Sequence, residues 1–415
     1  MRLPIVAIFL LFSSSLHAQP VPATGKTDAK FVSFDQLMTS FLKKNEHVPG
    51  AGIAVARDGQ IVYARGFGYS NKEKKEPVEP QALFRIASVS KPITGVAILH
   101  LVERGKLKLD DHVFDVLQLK APAENFDQRW KKVTIWQLLH HTAGWDRNKK
   151  GGFDPMFRPI DIAKEVNATP PAGPGAIIQY MLHRPLDFDP GAKMAYSNFG
   201  YCILGRVIEK ISRQSYEAYV RKEILAPLGI TSMKIGRTLL EERAKGEVKY
   251  YDSGVGTAVL GPQLGKPIPQ PYGAWYLEAM EAHGGWIASA EDLVRFAVAF
   301  DHPAKCKILK EKSIEEMFAR PAGLAGHDAD GKPLSSFYGC GWQVRPTAHG
   351  SMRNTWHNGS LPGTSTLLVR RDDGMTWAVL FNSRDGELKG KRQTQPAGEI
   401  DSLMHAAANE YLRNR

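Results

Sequence analysis

The chain has 415 residues, 43% hydrophobic and 23% charged, with three cysteines and a formal net charge of +11. These proportions exclude a disordered chain and a small disulfide scaffold, the sequence shows no repeat or low-complexity tract, and the length allows one large domain or two packed lobes. The positive surplus favours anionic polymers, but Lys and Arg are scattered, so charge marks no nucleic-acid surface and names no partner.

At the amino terminus Arg2 precedes an apolar run over residues 5–12 and then Ser13-Ser14-Ser15-Leu16-His17-Ala18. This is the pattern of a secretory signal peptide, residues 1–18, cut after Ala18; the run is far shorter than the roughly 20 apolar residues that span a bilayer. The expectation is a periplasmic or secreted protein with no integral membrane segment after cleavage. For such a protein, cell-wall or envelope polymers are more natural contacts than nucleic acid.

Two apolar runs around Asp58-Gly59 predict a hairpin, and Lys72–Lys75, broken by Glu73, reads as a solvated hairpin tip. Ser88-Val89-Ser90-Lys91 then opens a segment, through Val102, that is apolar nearly all round, as a buried helix would be. Pro92 fits only in or near a first turn, so the helix is expected to begin at about Ser88 and to stop at Gly105. Ser88 and Lys91 therefore share one face of a turn, beside the exposed N–H groups of the helix start. A lysine in a dry site is harder to protonate and can accept the serine proton. Taken alone, the four residues read more readily as a capping serine and a surface lysine.

Helical patterns follow at residues 134–141, 175–181, 198–211 and 216–225. Residues 147–174 and 253–272 hold few periodic apolar positions and read as long loops, the walls or flaps of a site. His140 and His141 are adjacent and point apart on a helix, so they make no metal pair; no metal or cofactor is expected. A turn-rich loop with Asp189-Pro190-Gly191 delivers Tyr196 and Asn198 to a helix start. Tyr196 can shuttle a proton beside a lysine, and Asn198 can orient Lys91 or a substrate amide, cap the helix, or do both. Cys202, in the apolar stretch 201–204, reads as a buried thiol, and the spacing of Cys202, Cys306 and Cys340 matches no metal or redox signature. Whether Cys306 and Cys340 pair stays open.

Another helix is expected at residues 290–298. In Trp356-His357-Asn358-Gly359-Ser360, Gly359 would let a substrate or another backbone approach closely. His357 could donate to a substrate carboxylate or carbonyl, or be structural. A second hairpin surrounds Asp372-Asp373-Gly374, and residues 397–411 suggest a terminal helix. The layout is an α/β (α+β) fold: an antiparallel sheet flanked by helices and built from both chain ends, with a mostly helical lobe inserted. In that division, residues 19–415 form one domain, with an α/β lobe of roughly 30–105 and 287–413 and a helical lobe of roughly 106–286.

In this order, Ser88-Val89-Ser90-Lys91, Tyr196-Ser197-Asn198 and His357-Asn358-Gly359 resemble the SxxK, YxN and KTG-or-HxG motifs of class C β-lactamases, penicillin-binding DD-peptidases and related esterases. Leu83-Phe84-Arg85-Ile86-Ala87, Gly284-Gly285-Trp286-Ile287-Ala288-Ser289 and Tyr338-Gly339-Cys340-Gly341-Trp342 extend the likeness over nearly all of the expected mature chain. The resemblance implies a β-lactamase/transpeptidase-like fold and an acyl-enzyme route. Ser88 would be the nucleophile, Lys91 and Tyr196 would carry the protons, and the backbone N–H groups of Ser88 and Ser360 would form the oxyanion hole. Asn198, His357, Asn358 and Gly359 would bind or orient the substrate, and His141 would be structural.

The third motif departs from Lys-Thr-Gly. An imidazole is mostly neutral at pH 7, which weakens the case for an efficient β-lactamase, and Asn358 replaces a hydroxyl with an amide. The expectation is a secreted carboxylesterase or D-amino-acid/DD-peptidase acting on a small molecule or peptide, such as cell-wall material supplies. A class C-like β-lactamase and a non-catalytic penicillin-binding or cell-wall-binding relative are the alternatives. If His357 anchors an anionic substrate, affinity should rise from about pH 8 to about pH 6.

Overall fold

Asp58 and Gly59 both take positive φ, +49° and +80°, as a type I′ turn requires, and close the hairpin of Gly50–Arg57 with Gln60–Asn71. The structure is a computed structural model that describes residues 20–347, 352–384, 387–388, 391–392 and 395–414. The expected signal segment, residues 1–18, lies outside the described residues. The second hairpin pairs Thr364–Arg370 with Met375–Phe381, and the latter runs antiparallel to Gly50–Arg57, stitching the two ends of the chain together. Among the described residues a nine-stranded sheet runs in the order Ala23–Thr24, Gln60–Asn71, Gly50–Arg57, Met375–Phe381, Thr364–Arg370, Arg353–Leu361, Gln343–Pro346 and Phe337–Tyr338, with Glu76–Pro77 pairing off this path to Gln60–Asn71. The exposed turn before Glu76–Pro77 holds Lys72–Lys75, as the hairpin-tip reading has it.

Successive side chains of a strand point to opposite faces, and the two central strands use this to build two different cores. Ile53, Val55, Trp377, Val379 and Phe381 pack on Phe34, Met38, Phe41, Ile400 and Met404 of helices Val32–Lys44 and Pro396–Arg413. On the other face stand Ala54, Ala56, Ala378 and Leu380, with Leu293, Val294, Phe296 and Ala297 of helix Ala290–Val298 in the same core. Small residues on this second face let that helix lie close to the sheet.

The serine segment begins as a 3-10 turn, Ala87–Val89, and becomes an α-helix only at Ser90–Glu103, two residues later than expected. Pro92 still falls in the first turn, where no N–H is missed. Every residue from Ser90 to Leu101 is buried. The helix lies directly against backbone: a Cβ on Gly95 would stand 2.4 Å from the Cys340 carbonyl oxygen.

The predicted helices appear as Ile135–Leu139, Pro174–Leu182, Asn198–Ser212 and Tyr216–Val220. The two stretches read as plain loops carry more structure than expected. Pro159–Glu165 is a helix, and Val255–Thr257 pairs with Pro267–Pro269. Seven residues make barely two turns, too few for a helical period to show in sequence. Among the described residues no helix is long and apolar enough to cross a membrane, and Cys202, Cys306 and Cys340 are all free thiols.

Candidate active site

Ala87, immediately before Ser88, has φ +46°, a conformation that costs a side-chain-bearing residue about 1–3 kcal/mol. Neighbouring strands hold it there. Phe84–Arg85 pairs with Trp286–Ala288, the Thr364 hydroxyl donates to the Arg85 carbonyl at 2.8 Å, and the Thr366 hydroxyl donates to the Ile86 carbonyl at 3.0 Å. Strand Arg353–Leu361 presses on the same turn at Gly359, where a Cβ would stand 2.2 Å from the Ile86 oxygen. The close approach that Gly359 permits is thus to the backbone that carries Ser88.

Lys91 is fully buried. Its Nζ stands 3.2 Å from Ser88 Oγ, donates to Asn198 Oδ1 at 2.8 Å and to the His283 carbonyl at 2.9 Å, and lies 4.7 Å from the centre of the Tyr196 ring. Burial pushes this amine well below the ordinary lysine range; the Arg147 charge adds to the effect and Asp154 opposes it. Burial moves the Tyr196 phenol the other way, upward, with a hydrogen bond to the Ser88 side chain and the Arg147 charge offsetting part of the rise.

Tyr196 is fixed from both sides by His141, whose carbonyl accepts the Ala195 N–H at 2.8 Å and whose Nδ1 accepts the Ser197 N–H at 3.2 Å. The His141 ring packs on Tyr196 at 4.4 Å between centres, while His140 turns away to stack on Trp136. Helix Asn198–Ser212 is capped by Ser197, whose hydroxyl accepts the Gly200 N–H, and not by Asn198. The Asn198 side chain is therefore free to bridge. Its Nδ2 donates to Asp154 Oδ2 at 2.7 Å, and an ionised carboxylate can only accept, so the amide oxygen must face Lys91. Asp154 is itself held by Arg147 at 3.0 Å and by the Met156 N–H at 3.1 Å.

At the third motif the structure corrects the sequence reading. His357 is 3% exposed; its Nδ1 donates to the Asn358 carbonyl at 2.7 Å, and its Nε2 accepts from the Tyr338 hydroxyl at 2.9 Å. Burial, with the Lys91 charge adding to it, pushes the ring down to about 3. Both nitrogens are spent and the ring is neutral from pH 8 to pH 6, so the expected imidazolium anchor for an anion has no proton to give. Ser88, Tyr196, Asn198, His357, Asn358 and Ser360 line one cavity of about 300 Å³, with Lys91 beneath it. A larger hollow of about 890 Å³ shares Phe157, Ser360 and Leu361 with this cavity and continues past Ile160, Val259 and Trp275.

The sequence matches the family described as Beta-lactamase over residues 34–399. The chain belongs to the beta-lactamase family. This beta-lactamase-family chain is 27% identical over 340 residues to Protein flp of Staphylococcus aureus (strain N315), covering 81% of the chain but 59% of that protein, so it spans under two thirds of that relative's length. It is 28% identical over 367 residues to Penicillin-binding protein 4* of Bacillus subtilis (strain 168), with 85% of the chain and 72% of the relative covered. Among solved structures it resembles the octameric penicillin-binding protein homologue from Pyrococcus abyssi, with 26% identity, 90% of this chain and 77% of the other covered, and a TM-score of 0.64.

Sequence reasoning missed several residues of this beta-lactamase-family site. Arg147 and His283 line the cavity, while Asp154 and Tyr338 stand behind Asn198 and His357. Arg147 and Asp154 belong to a stretch with neither motif nor period, and its length was the one hint that it borders a site. The His283 contribution to Lys91 is a backbone carbonyl, which no residue type advertises.

Proposed function

We propose that the chain is a serine hydrolase that cleaves an ester or amide through an acyl-enzyme on Ser88. One observation carries the reading. Lys91 Nζ has two partners that can only accept, Asn198 Oδ1 and the His283 carbonyl, and a third, the Ser88 hydroxyl, that can donate. A neutral amine has two N–H groups and one lone pair. It spends both N–H groups on the two carbonyl oxygens and keeps the lone pair for the serine proton. Burial supports that neutral form, and it also supports a protonated Tyr196.

Opposite shifts of this kind divide the roles. Ser88 Oγ attacks the substrate carbonyl carbon while its proton passes to Lys91, and the backbone N–H groups of Ser88 and Ser360 receive the oxyanion. Tyr196 gives its hydroxyl proton to the departing oxygen or nitrogen and recovers one from Lys91. Water then attacks the acyl carbon, its proton returns through Lys91 to Ser88 Oγ, and the acid leaves. Asn198 orients Lys91, and Asn358 offers an exposed amide at the cavity wall. The neutral His357 keeps esterase or peptidase activity ahead of β-lactamase activity. The name of the Bacillus relative favours a second reading, a penicillin-reactive protein whose acyl-enzyme persists.

Intact-mass measurement after treatment with a fluorophosphonate, and separately with a penicillin, tests the proposal. The wild type should gain one adduct that Ser88→Ala lacks, and Lys91→Met should form it at least about 100-fold more slowly. Equal labelling of wild type and Ser88→Ala would remove the nucleophile. The lifetime of a penicillin adduct separates turnover from trapping.

A further inference from the structure

The cavity at Ser88 is unusual in its charge. Of its lining residues, among those described, Arg147 alone is permanently charged, and no carboxylate lines it. The imidazoles of His283 and His357 are held below the ordinary histidine range by burial, and Lys91 lies beneath the surface. Asp154, the partner of Arg147, lines a neighbouring hollow that shares Arg147 and Asn198 with this cavity, and its carboxylate does not itself line the cavity. Among the described contacts Arg147 donates one hydrogen bond, from Nη1 to Asp154, although a guanidinium carries five N–H donors.

Arg147 is also held in place. Its guanidinium carbon lies 5.0 Å from the centre of the Tyr196 ring, the ring whose hydroxyl meets Ser88. The turn that carries it is tied down by the Asp146 N–H, which donates to Asp187 Oδ2 at 2.6 Å, and by the Lys193–Asp146 ion pair at 3.0 Å. A stacked, pinned guanidinium is preorganised for a planar anion.

We infer that Arg147 is the substrate-selecting residue of this site, its guanidinium receiving a carboxylate that the substrate carries close to the bond attacked by Ser88. The inference rests on the hydrolase reading above. It supplies from a loop the fixed positive charge that the third motif, with a neutral His357, lacks.

Two ester pairs test it. m-Carboxyphenyl acetate against phenyl acetate places the carboxylate on the leaving group, and the p-nitrophenyl monoester of adipic acid against p-nitrophenyl hexanoate places it on the acyl group. In at least one pair the wild type should prefer the carboxylate by about tenfold or more in kcat/KM. Arg147→Met should bring that ratio close to one, and Arg147→Lys should keep part of it. If Arg147 serves only as the counter-ion of Asp154, both members of a pair fall together, the ratio holds, and the inference is overturned. A wild-type ratio near one in both pairs overturns it as well. Should Arg147→Met fail to fold, the wild-type ratio itself must fall as salt rises from about 0.05 M to about 0.5 M, and a salt-independent ratio counts against the inference. Esterase turnover with a phosphonate adduct on Ser88 but no ratio sinks this inference alone; absence of the Ser88 adduct sinks the hydrolase reading and this inference with it.

Discussion

Asp154 accepts the Asn198 amide and the Arg147 guanidinium on one oxygen and the Met156 N–H on the other. The carboxylate acts on Lys91 without touching it, by deciding which end of the Asn198 amide faces the amine. Asp154→Ala should therefore behave as a positioning change, lowering kcat/KM about 10- to 100-fold. Asn198→Ala should cost a similar factor. The double variant should lose little more than either single one, because both remove the same restraint on Lys91. Steady-state kinetics on the three variants check this, and fully multiplicative losses would separate the two residues. At this scale the sequence showed which side chains have suitable chemistry, Ser88, Lys91, Tyr196 and Asn198. It could not show that Ser197 takes the cap and frees Asn198, because either residue is a favoured capping type.

Strand Arg353–Leu361 packs through Gly359 on the turn that carries Ser88, and helix Ser90–Glu103, which continues from that turn, packs through Gly95 on the Cys340 backbone. Gly359→Ala would put a Cβ 2.2 Å from the Ile86 oxygen and 2.3 Å from Thr366 Oγ1, so the strand and the Ala87 turn must part. The expected outcome is a loss of about 100-fold in kcat/KM with a stability cost of about 1–3 kcal/mol, read by kinetics and thermal unfolding. Unchanged activity would show that the turn does not need this packing. The elements themselves were legible where the signal is local. Asp-Gly pairs marked both hairpins, and an all-apolar stretch marked the buried helix. Helix Pro159–Glu165 and the pairing of Val255–Thr257 with Pro267–Pro269 were not, since short elements leave no period and pairing across a loop leaves no mark in sequence.

Across the molecule, His140, His141, His283 and His357 are buried and held neutral, His140 down at about 4 and His357 at about 3, in each case chiefly by loss of water. The unfolded chain takes up these protons near the ordinary histidine value of about 6.5 while the folded chain refuses them. Stability is therefore full above about pH 6.5 and is lost as pH falls toward the folded values, each histidine adding up to about 1.4 kcal/mol per pH unit to the slope. The thermal midpoint should fall steeply from about pH 7 to about pH 4.5, and less steeply in His357→Gln. A midpoint that is flat over that range would mean that these rings are protonated in the folded protein.

The sequence by itself determined what depends on neighbours along the chain, the two hairpins, the buried helix and a serine and a lysine one turn apart, and it matches its family over residues 34–399. Tertiary structure decided which hydrogen-bonding atoms face each other across long separations. Tyr338 and the Asn358 carbonyl use up both His357 nitrogens, Asp154 turns the Asn198 amide, and Arg147 becomes the charge on the cavity wall. Residue type and spacing say what a side chain can donate or accept; only packing sets the direction in which it does so.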